Sequence, residues 1–380
     1  MIIGMVTSTR ADYGLLRPVM RLLQASSWAD LRIIATGTHL TREFGHTIEA
    51  IAADGFEVDD RVDMLLASDT PVGVTKSMGL ATIGFADSYR RIRPDLLILL
   101  GDRYEILAAA QAALIAKIPV AHLCGGDVTE GALDDAIRHA ITKLSHLHFV
   151  TNELAAQRVL QMGEDPQRVF VVGNPGLDDL VPFVPLDRPQ LEAELGMSLQ
   201  ERNLLVTYHP ATLADEPPTV AFAELLAALE SLGPDVGIVI TMPNADSGGR
   251  ALLEMVRDFA HERDHTVSHE SLGQVRYWSC LKTFDVVLGN SSSGLMEAPV
   301  VGTPAVNVGR RQDGRLRAPT TIDCQPERGA IRAAIERGLA WQDAPRSSPY
   351  GDGHAGPRIL EHLSKLEDPS SMLIKRFRLV

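Results

Sequence analysis

Residues 96–105 read LLILLGDRYE, and this stretch decides the fold. The run from Leu96 to Leu100 predicts a strand covered by helices on both faces, because a half-exposed strand would alternate apolar with polar residues. A polar turn follows at once, and a helical pattern then runs from Glu105 to Lys117. A strand, a turn and a helix in this order are the unit of a parallel α/β fold.

The same unit recurs along most of the chain, in two successive series of strands. The first series comprises the runs Ile2–Val6, Leu31–Ala35, Leu96–Leu100, Val120–Leu123, His148–Val150 and Val169–Val172, and the second comprises Leu204–Thr207, Gly237–Thr241, Val286–Leu288 and Ala305–Val308. This alternation predicts an α/β protein made of two Rossmann-like, doubly wound domains.

A cluster of prolines separates the two series. Pro175, Pro182, Pro185 and Pro189 fall between them, and prolines at that density favour an extended linker. The predicted organisation is an N-terminal domain over 1–173, a linker over 174–198, a C-terminal nucleotide-binding domain over 199–365 and a C-terminal segment over 366–380. That last segment is either a frayed tail or a helix that returns to the first domain.

Composition excludes several classes of partner. Aromatic residues make up 5% of the chain and the formal net charge is -13, so a nucleic-acid-binding surface is not expected. A local basic pocket for a small anion stays open. No apolar run approaches the roughly 20 residues of a membrane span. Three distant cysteines and a first strand that begins at Ile2 favour a reducing, cytoplasmic location.

Polar residues gather where the predicted strands end, and ligands bind there in open α/β sheets. The first domain offers residues 7–14 (TSTRADYG), 101–105 (GDRYE), 125–127 (GGD) and 134–135 (DD), and the second offers residues 208–210 (YHP) and 289–294 (GNSSSG). We therefore expect these strand ends to converge on one crevice.

Ser291, Ser292, Ser293 and Gly294 are typical of a phosphate-binding loop. Small residues let the backbone approach an anion, hydroxyls donate hydrogen bonds, and the next helix presents free N–H groups with a partial positive charge. The alternative is a plain serine cap of that helix. Arg311, after the next strand, is either a diphosphate clamp or a surface arginine.

Arg10 and Arg103 each follow a buried strand. This position favours an anionic partner, since a guanidinium binds phosphate oxygens in a bidentate manner. For Arg103 the alternative is an internal ion pair with Asp102 or Glu105.

Asp102, Asp134 and His209 are candidates for proton transfer. His209 ends a strand near the predicted crevice, where a histidine can titrate and shuttle protons. The alternative for Asp102 is a helix cap, and for Asp134 a first-turn acidic residue. The histidines lack the spacing of ligand pairs, so no metal site is predicted.

Several of these motifs together resemble the hydrolysing UDP-N-acetylglucosamine 2-epimerases. They are residues 9–14 (TRADYG), 101–105 (GDRYE), 133–139 (LDDAIRH), 290–294 (NSSSG), 302–304 (GTP) and 309–312 (GRRQ). The resemblance covers nearly the whole chain. It implies the glycosyltransferase type B arrangement, UDP bound mainly by the second domain, neither cofactor nor metal, and a homodimer or homotetramer.

The resemblance also implies a reaction, the conversion of UDP-N-acetylglucosamine to N-acetylmannosamine and UDP. UDP and the C2 proton leave to give 2-acetamidoglucal, and water then adds. Because the C2 proton is not acidic, departure of the diphosphate must lead, so cations and N–H groups should stabilise the leaving charge. By matching positions, Asp102 and Asp134 are the acid/base pair and His209 assists. The matching nucleotide-binding residues are Arg10, Arg103, Ser291, Ser292, Ser293, Gly294, Glu297 and Arg311, with Glu297 at the ribose hydroxyls.

Cys124 departs from the family pattern. Residues 122–127 read HLCGGD, and studied members carry a glutamate, considered catalytic, at the position of Cys124. A thiol with an ordinary pKa near 8.5 is a poor substitute for a carboxylate. Either Asp127 takes over the role, or the sugar differs, or activity is lost. We favour a different sugar, a diacetamido-trideoxy or a GDP-linked sugar of the kind used for legionaminic-type acids.

Two other functions stay open. A glycosyltransferase can have the same architecture, because fold alone does not fix function. A non-catalytic nucleotide-sugar sensor is the second, and Cys124 motivates it.

Overall fold

The computed structural model describes residues 1–41, 47–68, 70–129, 133–210, 217–242, 249–341 and 345–379. The chain divides into two compact units, Met1–Asp179 together with Gly353–Val380, and Leu180–Asp352. Each unit is a parallel sheet with helices on both faces, which confirms the predicted α/β fold of two doubly wound, Rossmann-like parts.

The strands are β1 (Ile2–Thr7), β2 (Asp30–Thr36), β3 (Asp60–Val62), β4 (Leu96–Leu100), β5 (Val120–Leu123), β6 (Leu147–Val150), β7 (Val169–Val171), β8 (Arg202–Thr207), β9 (Val236–Thr241), β10 (Thr266–His269), β11 (Val286–Gly289), β12 (Ala305–Val308) and β13 (Thr321–Cys324). The helices are α1 (Arg10–Gln24), α2 (Ile48–Ala53), α3 (Pro71–Ile92), α4 (Tyr104–Ile115), α5 (Leu133–Leu144), α6 (Glu153–Gln161), α7 (Leu177–Leu180), α8 (Arg188–Leu195), α9 (Pro218–Glu230), α10 (Gly249–Glu262), α11 (Gly273–Thr283), α12 (Ser293–Met296), α13 (Ala298–Val301), α14 (Arg328–Leu339) and α15 (Ala355–Ser364).

The first unit has a seven-stranded sheet in the order β3-β2-β1-β4-β5-β6-β7. The central strands are buried on both faces, as their uninterrupted apolar runs predict. One face packs on α1 and α15 through residues such as Leu16 and Ile359, and the other packs on α3 and α4 through Phe85 and Ile106.

The second unit has a six-stranded sheet in the order β10-β9-β8-β11-β12-β13. Its core joins β8, β9 and β11 to α9 and α14, with Leu204, Phe222 and Ile331 fully or almost fully buried. In each sheet the strand order reverses once near the middle, between β1 and β4 and between β8 and β11.

The C-terminal residues belong to the first unit from Gly353 onward. The sequence pattern assigned residues 199–365 to the second domain, but Ile359 and Leu363 of α15 lie in the core of the first unit. Beyond α15, the Lys375 ammonium lies 2.8 Å from the buried Glu164 carboxylate. Apolar contact and a buried ion pair therefore hold this segment against the first unit.

The proline-rich stretch contains more regular structure than its composition suggests. Asp187 caps α8 and forms a capping box with Gln190, and Pro189 lies in the first turn, where its missing N–H costs nothing. None of the helices in the described part of the chain is long and apolar enough to cross a membrane.

Candidate active site

The predicted site residues lie beside the two points where strand order reverses. In the first unit the loops after β1 and β4 flank this point, and in the second the loops after β8 and β11 flank it. Neighbouring loops leave such a point in opposite directions, which opens a crevice at the carboxyl ends of the strands. Arg10 and Asp102 follow β1 and β4, and His209 and Ser291 follow β8 and β11.

A buried carboxylate builds the loop after β1. Asp12 accepts hydrogen bonds from the Thr7 hydroxyl at 2.7 Å, the Ser8 hydroxyl at 2.6 Å and the Thr9 backbone N–H at 2.9 Å. Burial would raise the pKa of Asp12, but these bonds and the nearby His39 ring lower it. The carboxylate therefore stays charged and fixes the loop from which α1 begins.

The two predicted arginines of this unit differ in their surroundings. Arg10 is the first residue of α1 and is exposed to solvent. Arg103 donates from Nε and Nη2 to the two oxygens of the fully buried Glu105, at 3.1 and 2.8 Å. The ion pair that was the alternative for Arg103 thus forms, with Glu105 as the partner. The Arg103 side chain is still 39% exposed, so part of its guanidinium faces solvent.

Arg138 on α5 joins most of the predicted acidic residues of the first unit. It is buried, and Nη2 donates to the Asp102 carboxylate and, at 2.9 Å, to the Thr129 hydroxyl. Its Nη1 donates to the Asp127 main-chain carbonyl at 2.7 Å and lies 3.4 Å from the Asp135 carboxylate. Arg138 was not among the predicted site residues, although it lies within the LDDAIRH motif.

Asp134 lies on the first turn of α5, close enough to Asp102 for their charges to interact. The residue is exposed, but partial desolvation of its carboxylate raises the pKa of Asp134, and the negative charge of Asp102 raises it further, against a backbone hydrogen bond and the charges of Arg103 and Arg138. The two carboxylates therefore have different environments, one ion-paired and one with a raised pKa. Such asymmetry is typical of an acid/base pair.

Cys124 follows β5 and adopts a left-handed backbone with φ of 62°. The residue is half-buried, and burial, followed by the charge of Asp127, raises the pKa of its thiol well above the ordinary value. Gly126, two residues on, also has positive φ, and a Cβ there would lie 2.3 Å from the Ala155 carbonyl oxygen. The turn is thus sterically fixed, and it presents a neutral thiol.

Asp127 makes hydrogen bonds through its side chain as well as through its main-chain carbonyl. Its Oδ1 accepts from the Thr151 hydroxyl at 2.6 Å, so its carboxylate is tied to the end of β6. His122 plays a comparable supporting role, because burial lowers its pKa to about 3 and its neutral ring lies 2.8 Å from the Gly101 carbonyl oxygen. This contact fixes the turn that precedes Asp102.

In the serine loop of the second unit, the Ser291 hydroxyl accepts from the Ser293 backbone N–H at 3.4 Å, which is a long contact. Ser292 makes no side-chain capping bond with the described residues, and the helix that follows is divided into the four-residue segments α12 and α13. The Ser293 hydroxyl is buried and has no hydrogen-bond partner among the described residues. Gly289, with φ of 137°, brings the loop so close to β8 that a Cβ would lie 1.9 Å from the Thr207 carbonyl oxygen.

Arg311 and Glu297 both lie beside this loop. Arg311 Nη1 donates to the Asn290 carbonyl at 3.0 Å, directly before Ser291, while the residue is exposed to solvent. Glu297 separates α12 from α13, and its Oε1 accepts from the Trp278 indole at 3.1 Å. The structure thus brings Arg311, Glu297 and the serine loop together within the second unit. No group of three or more metal-ligating side chains occurs in the described ranges.

Comparison with known proteins decides the family. The model of the UDP-N-acetylglucosamine 2-epimerase family matches residues 21–364. The chain belongs to this family. It is therefore an epimerase of nucleotide sugars, and the resemblance seen in its motifs is confirmed.

Two relatives are similar over most of their length. The GDP/UDP-N,N'-diacetylbacillosamine 2-epimerase (hydrolyzing) of Campylobacter jejuni is 39% identical over 324 residues, which cover 85% of this chain and 84% of the relative. The UDP-N,N'-diacetylbacillosamine 2-epimerase (hydrolyzing) of Legionella pneumophila is 36% identical over 371 residues, 97% of each chain.

Solved structures of the family share the fold. The UDP-GlcNAc 2-epimerase of Neisseria meningitidis, bound to UDP-GlcNAc, superposes with a TM-score of 0.80 at 20% identity, covering 96% of this chain and 100% of the other. The Methanocaldococcus jannaschii enzyme, in complex with UDP-GlcNAc and UDP, has a TM-score of 0.74 at 19% identity, with 96% and 99% covered. This epimerase therefore has the predicted glycosyltransferase type B fold.

Proposed function

We propose that this epimerase hydrolyses a UDP-linked N,N'-diacetylbacillosamine, inverting C2 and releasing UDP. The observation that carries the proposal is the Arg138 cluster, in which Asp102 is ion-paired with Arg138 and lies near the neutral Cys124 thiol, while Asp134 has a raised pKa. Two relatives at 36–39% identity bear names with this sugar. UDP-N-acetylglucosamine and GDP-linked diacetylbacillosamine are the alternative substrates.

The first step is an elimination. The C1–O bond breaks, and its electron pair leaves with UDP while a carboxylate takes the C2 proton and a C1–C2 double bond forms. We assign the proton to the pair Asp102 and Asp134, and the developing diphosphate charge to Arg311 and the serine loop. Donors already in place at the leaving oxygens lower the barrier, because they need no reorganisation during the reaction.

The second step is a hydration. Water adds to C1, and a proton returns to C2 on the opposite face of the ring, so two carboxyl groups of different proton affinity are required. We assign these two roles to Asp102, which is ion-paired with Arg138, and to Asp134, whose pKa is raised. Arg10 and Arg103 would contribute to holding the diphosphate, Glu297 would bind the ribose hydroxyls, and His209 would assist the leaving group or the intermediate.

The test is a substrate panel in deuterium oxide. UDP-diacetylbacillosamine, UDP-N-acetylglucosamine and GDP-diacetylbacillosamine are incubated separately, and products are followed by mass spectrometry and proton NMR. We expect UDP and a C2-inverted free sugar that carries deuterium at C2. A product without deuterium would contradict the elimination. Turnover that requires an added acceptor would indicate a glycosyltransferase, and binding without turnover would indicate a sensor.

Cys124 offers a test of the substrate assignment. Cys124→Glu introduces the family's carboxylate without a new backbone cost, because both side chains carry a Cβ at the same positive φ. We expect the variant to shift preference towards UDP-N-acetylglucosamine, and Cys124→Ser, which stays small and neutral, to keep the natural preference. Activity that appears only in Cys124→Glu would favour the sensor.

A further inference from the structure

Asn290 lies at the junction of three features of the second unit. It follows β11 directly, it precedes the serine loop, and its side chain faces the end of β8. Only 1% of the residue is exposed. Asn290 is the first residue of the NSSSG motif and has no role in the proposed function.

The Asn290 carboxamide continues the sheet by one step. The last backbone pair of β8 and β11 is Thr207 with Gly289, and the Asn290 N–H donates to the Thr207 carbonyl at 3.1 Å. Beyond that pair, Oδ1 accepts from the His209 backbone N–H and Nδ2 donates to the His209 carbonyl, each at 2.8 Å. A carboxamide has the donor and acceptor of a peptide group, so it replaces the missing backbone partner.

The main-chain carbonyl of Asn290 makes a second set of contacts. It accepts from Arg311 Nη1 at 3.0 Å and from Gln312 Nε2 at 2.8 Å. One buried residue thus contacts the strand end that carries His209 and the arginine beside the serine loop. The contacts with His209 use the Asn290 side chain and those with Arg311 and Gln312 use its backbone, so a side-chain substitution can remove the first set and leave the second.

We propose that Asn290 is a positioning residue that fixes His209 through its carboxamide relative to the serine loop and Arg311. The proposal rests on the proposed function, in which His209 and the serine loop act on one nucleotide sugar. Catalytic groups displaced by about 1 Å can lose on the order of a hundredfold in rate. A change confined to the carboxamide should therefore lower kcat while the Arg311 contact, and with it UDP binding, persists.

Asn203 provides a matched control at the opposite end of β8. Its Oδ1 accepts from the Gln200 backbone N–H and its Nδ2 donates to the Gln200 carbonyl, both at 2.9 Å, and it is 5% exposed. The same side chain thus makes the same pair of bonds to one residue, but no candidate site residue follows. Asn203→Asp and Asn290→Asp each replace the Nδ2 donor by a carboxylate oxygen, which would face the main-chain carbonyl that Nδ2 bonded.

The experiment compares these two variants in the full-length enzyme. We expect similar falls in unfolding midpoint, and UDP dissociation constants within about threefold of the natural enzyme, by titration calorimetry. The kcat for the nucleotide sugar should fall about ten- to a hundredfold in Asn290→Asp only. Equal kcat losses in the two variants would overturn the proposal. Asn290→Ser and Asn203→Ser repeat the comparison without a buried carboxylate, in case the aspartates do not fold.

A double-mutant cycle shows whether Asn290 acts through His209. His209→Ala should lower kcat in single-turnover assays, and adding Asn290→Asp should change it by less than about twofold, since coupled residues are not additive. Additive losses, or full activity of His209→Ala, would overturn the proposal. A natural enzyme that neither binds UDP nor releases it would refute the proposed function before any variant is made.

Discussion

Arg138 is the residue on which the geometry of the proposed acid/base pair depends. Its buried guanidinium contacts the Asp102 carboxylate, the Thr129 hydroxyl and the Asp127 backbone, so it fixes both the turn after β4 and the loop after β5. Removing one partner of a buried charged pair is costly, because the other charge is left without compensation. Arg138 is therefore expected to matter to catalysis without contacting the reacting atoms.

Replacing Arg138 should reduce catalysis. We expect Arg138→Gln to lower kcat/KM about a hundredfold, because Asp102 loses its partner, and Arg138→Lys to give an intermediate value, since lysine keeps the charge but not the planar fork. Steady-state UDP release measures the effect. Arg158→Gln is the control, because Arg158 donates to the Gly126 carbonyl in the same loop and to no carboxylate among the described residues. An equal loss in Arg158→Gln would mean that loop distortion alone explains the result.

An asparagine at position 134 should stabilise the folded state more than the Asp134 carboxylate does. Its raised pKa means that the folded state binds the proton more tightly than the unfolded state, so its contribution to stability falls as pH rises above the ordinary value of 3.8. Asp134→Asn should therefore raise the unfolding midpoint at pH 7 while abolishing turnover. The gain should vanish below about pH 3.8, where both forms are neutral.

Thermal denaturation at several pH values measures this prediction. Asp135→Asn serves as the control, because Asp135 accepts from the Thr129 N–H at 2.8 Å and contacts Arg138, and its charge is favourable there. That variant should lower the midpoint at pH 7. A lower midpoint for Asp134→Asn as well would contradict the assigned repulsion from Asp102.

At the scale of elements, prediction from sequence succeeded for the central strands and for the edge strand β7, and failed at the other three sheet edges. The strands that it missed are β3, β10 and β13, and each lies at the edge of its sheet. Each of these strands is only partly buried, as in β10, where only Thr266 is buried. An edge strand lacks a neighbour on one side, so its sequence need not be uniformly apolar and the pattern weakens.

The segment after α15 is the element whose packing is most open to test. Burial would raise the pKa of Glu164, but hydrogen bonds with His148 and with Lys143 and Lys375 lower it to about 2. Lys375→Met should cost about 1–3 kcal/mol of unfolding free energy at neutral pH, as for the loss of a buried charged hydrogen bond. Because the folded pKa is lowered, the difference should shrink as pH falls from about 4.5 to about 2.

Differential scanning calorimetry across that pH range gives the measurement. Lys365→Met is the matched control, since Lys365 pairs with Glu361 on the surface and such exposed pairs contribute little. The unfolding temperature of Lys365→Met is expected to equal that of the natural protein at every pH. If both variants unfold at the same temperature as the natural protein, the Lys375 contact does not hold the segment.

At the scale of the whole molecule, one apolar surface of the first unit is not covered by any other residue that the structure describes. Val72, Leu80 and Ile83 are exposed on α3, and the spacing of eight and three residues places them on one helix face. An apolar face of this kind often marks an interface. The homodimer or homotetramer implied by the family resemblance stays a prediction, and this face is its proposed site.

Charge substitution on α3 tests that prediction. Leu80→Asp combined with Ile83→Asp should shift the protein to a monomer in light scattering coupled to size-exclusion chromatography, because two carboxylates would have to be desolvated in each copy. Val275→Asp, an exposed apolar position in the second unit, is the control and should leave the mass unchanged. An unchanged mass in the α3 double variant would place the interface elsewhere.

The sequence by itself determined the fold class and the family, because buried parallel strands and strand-end motifs are local patterns. It also named Asp102, Ser291–Gly294 and Arg311 as candidates, since each begins within three residues of a strand end, and Asp134 through the LDDAIRH motif. Only the tertiary structure decided their partners. The Arg138 contact to Asp102 spans 36 residues and the Asn290 contact to His209 spans 81, and no local pattern encodes which distant polar groups meet when apolar burial closes the fold.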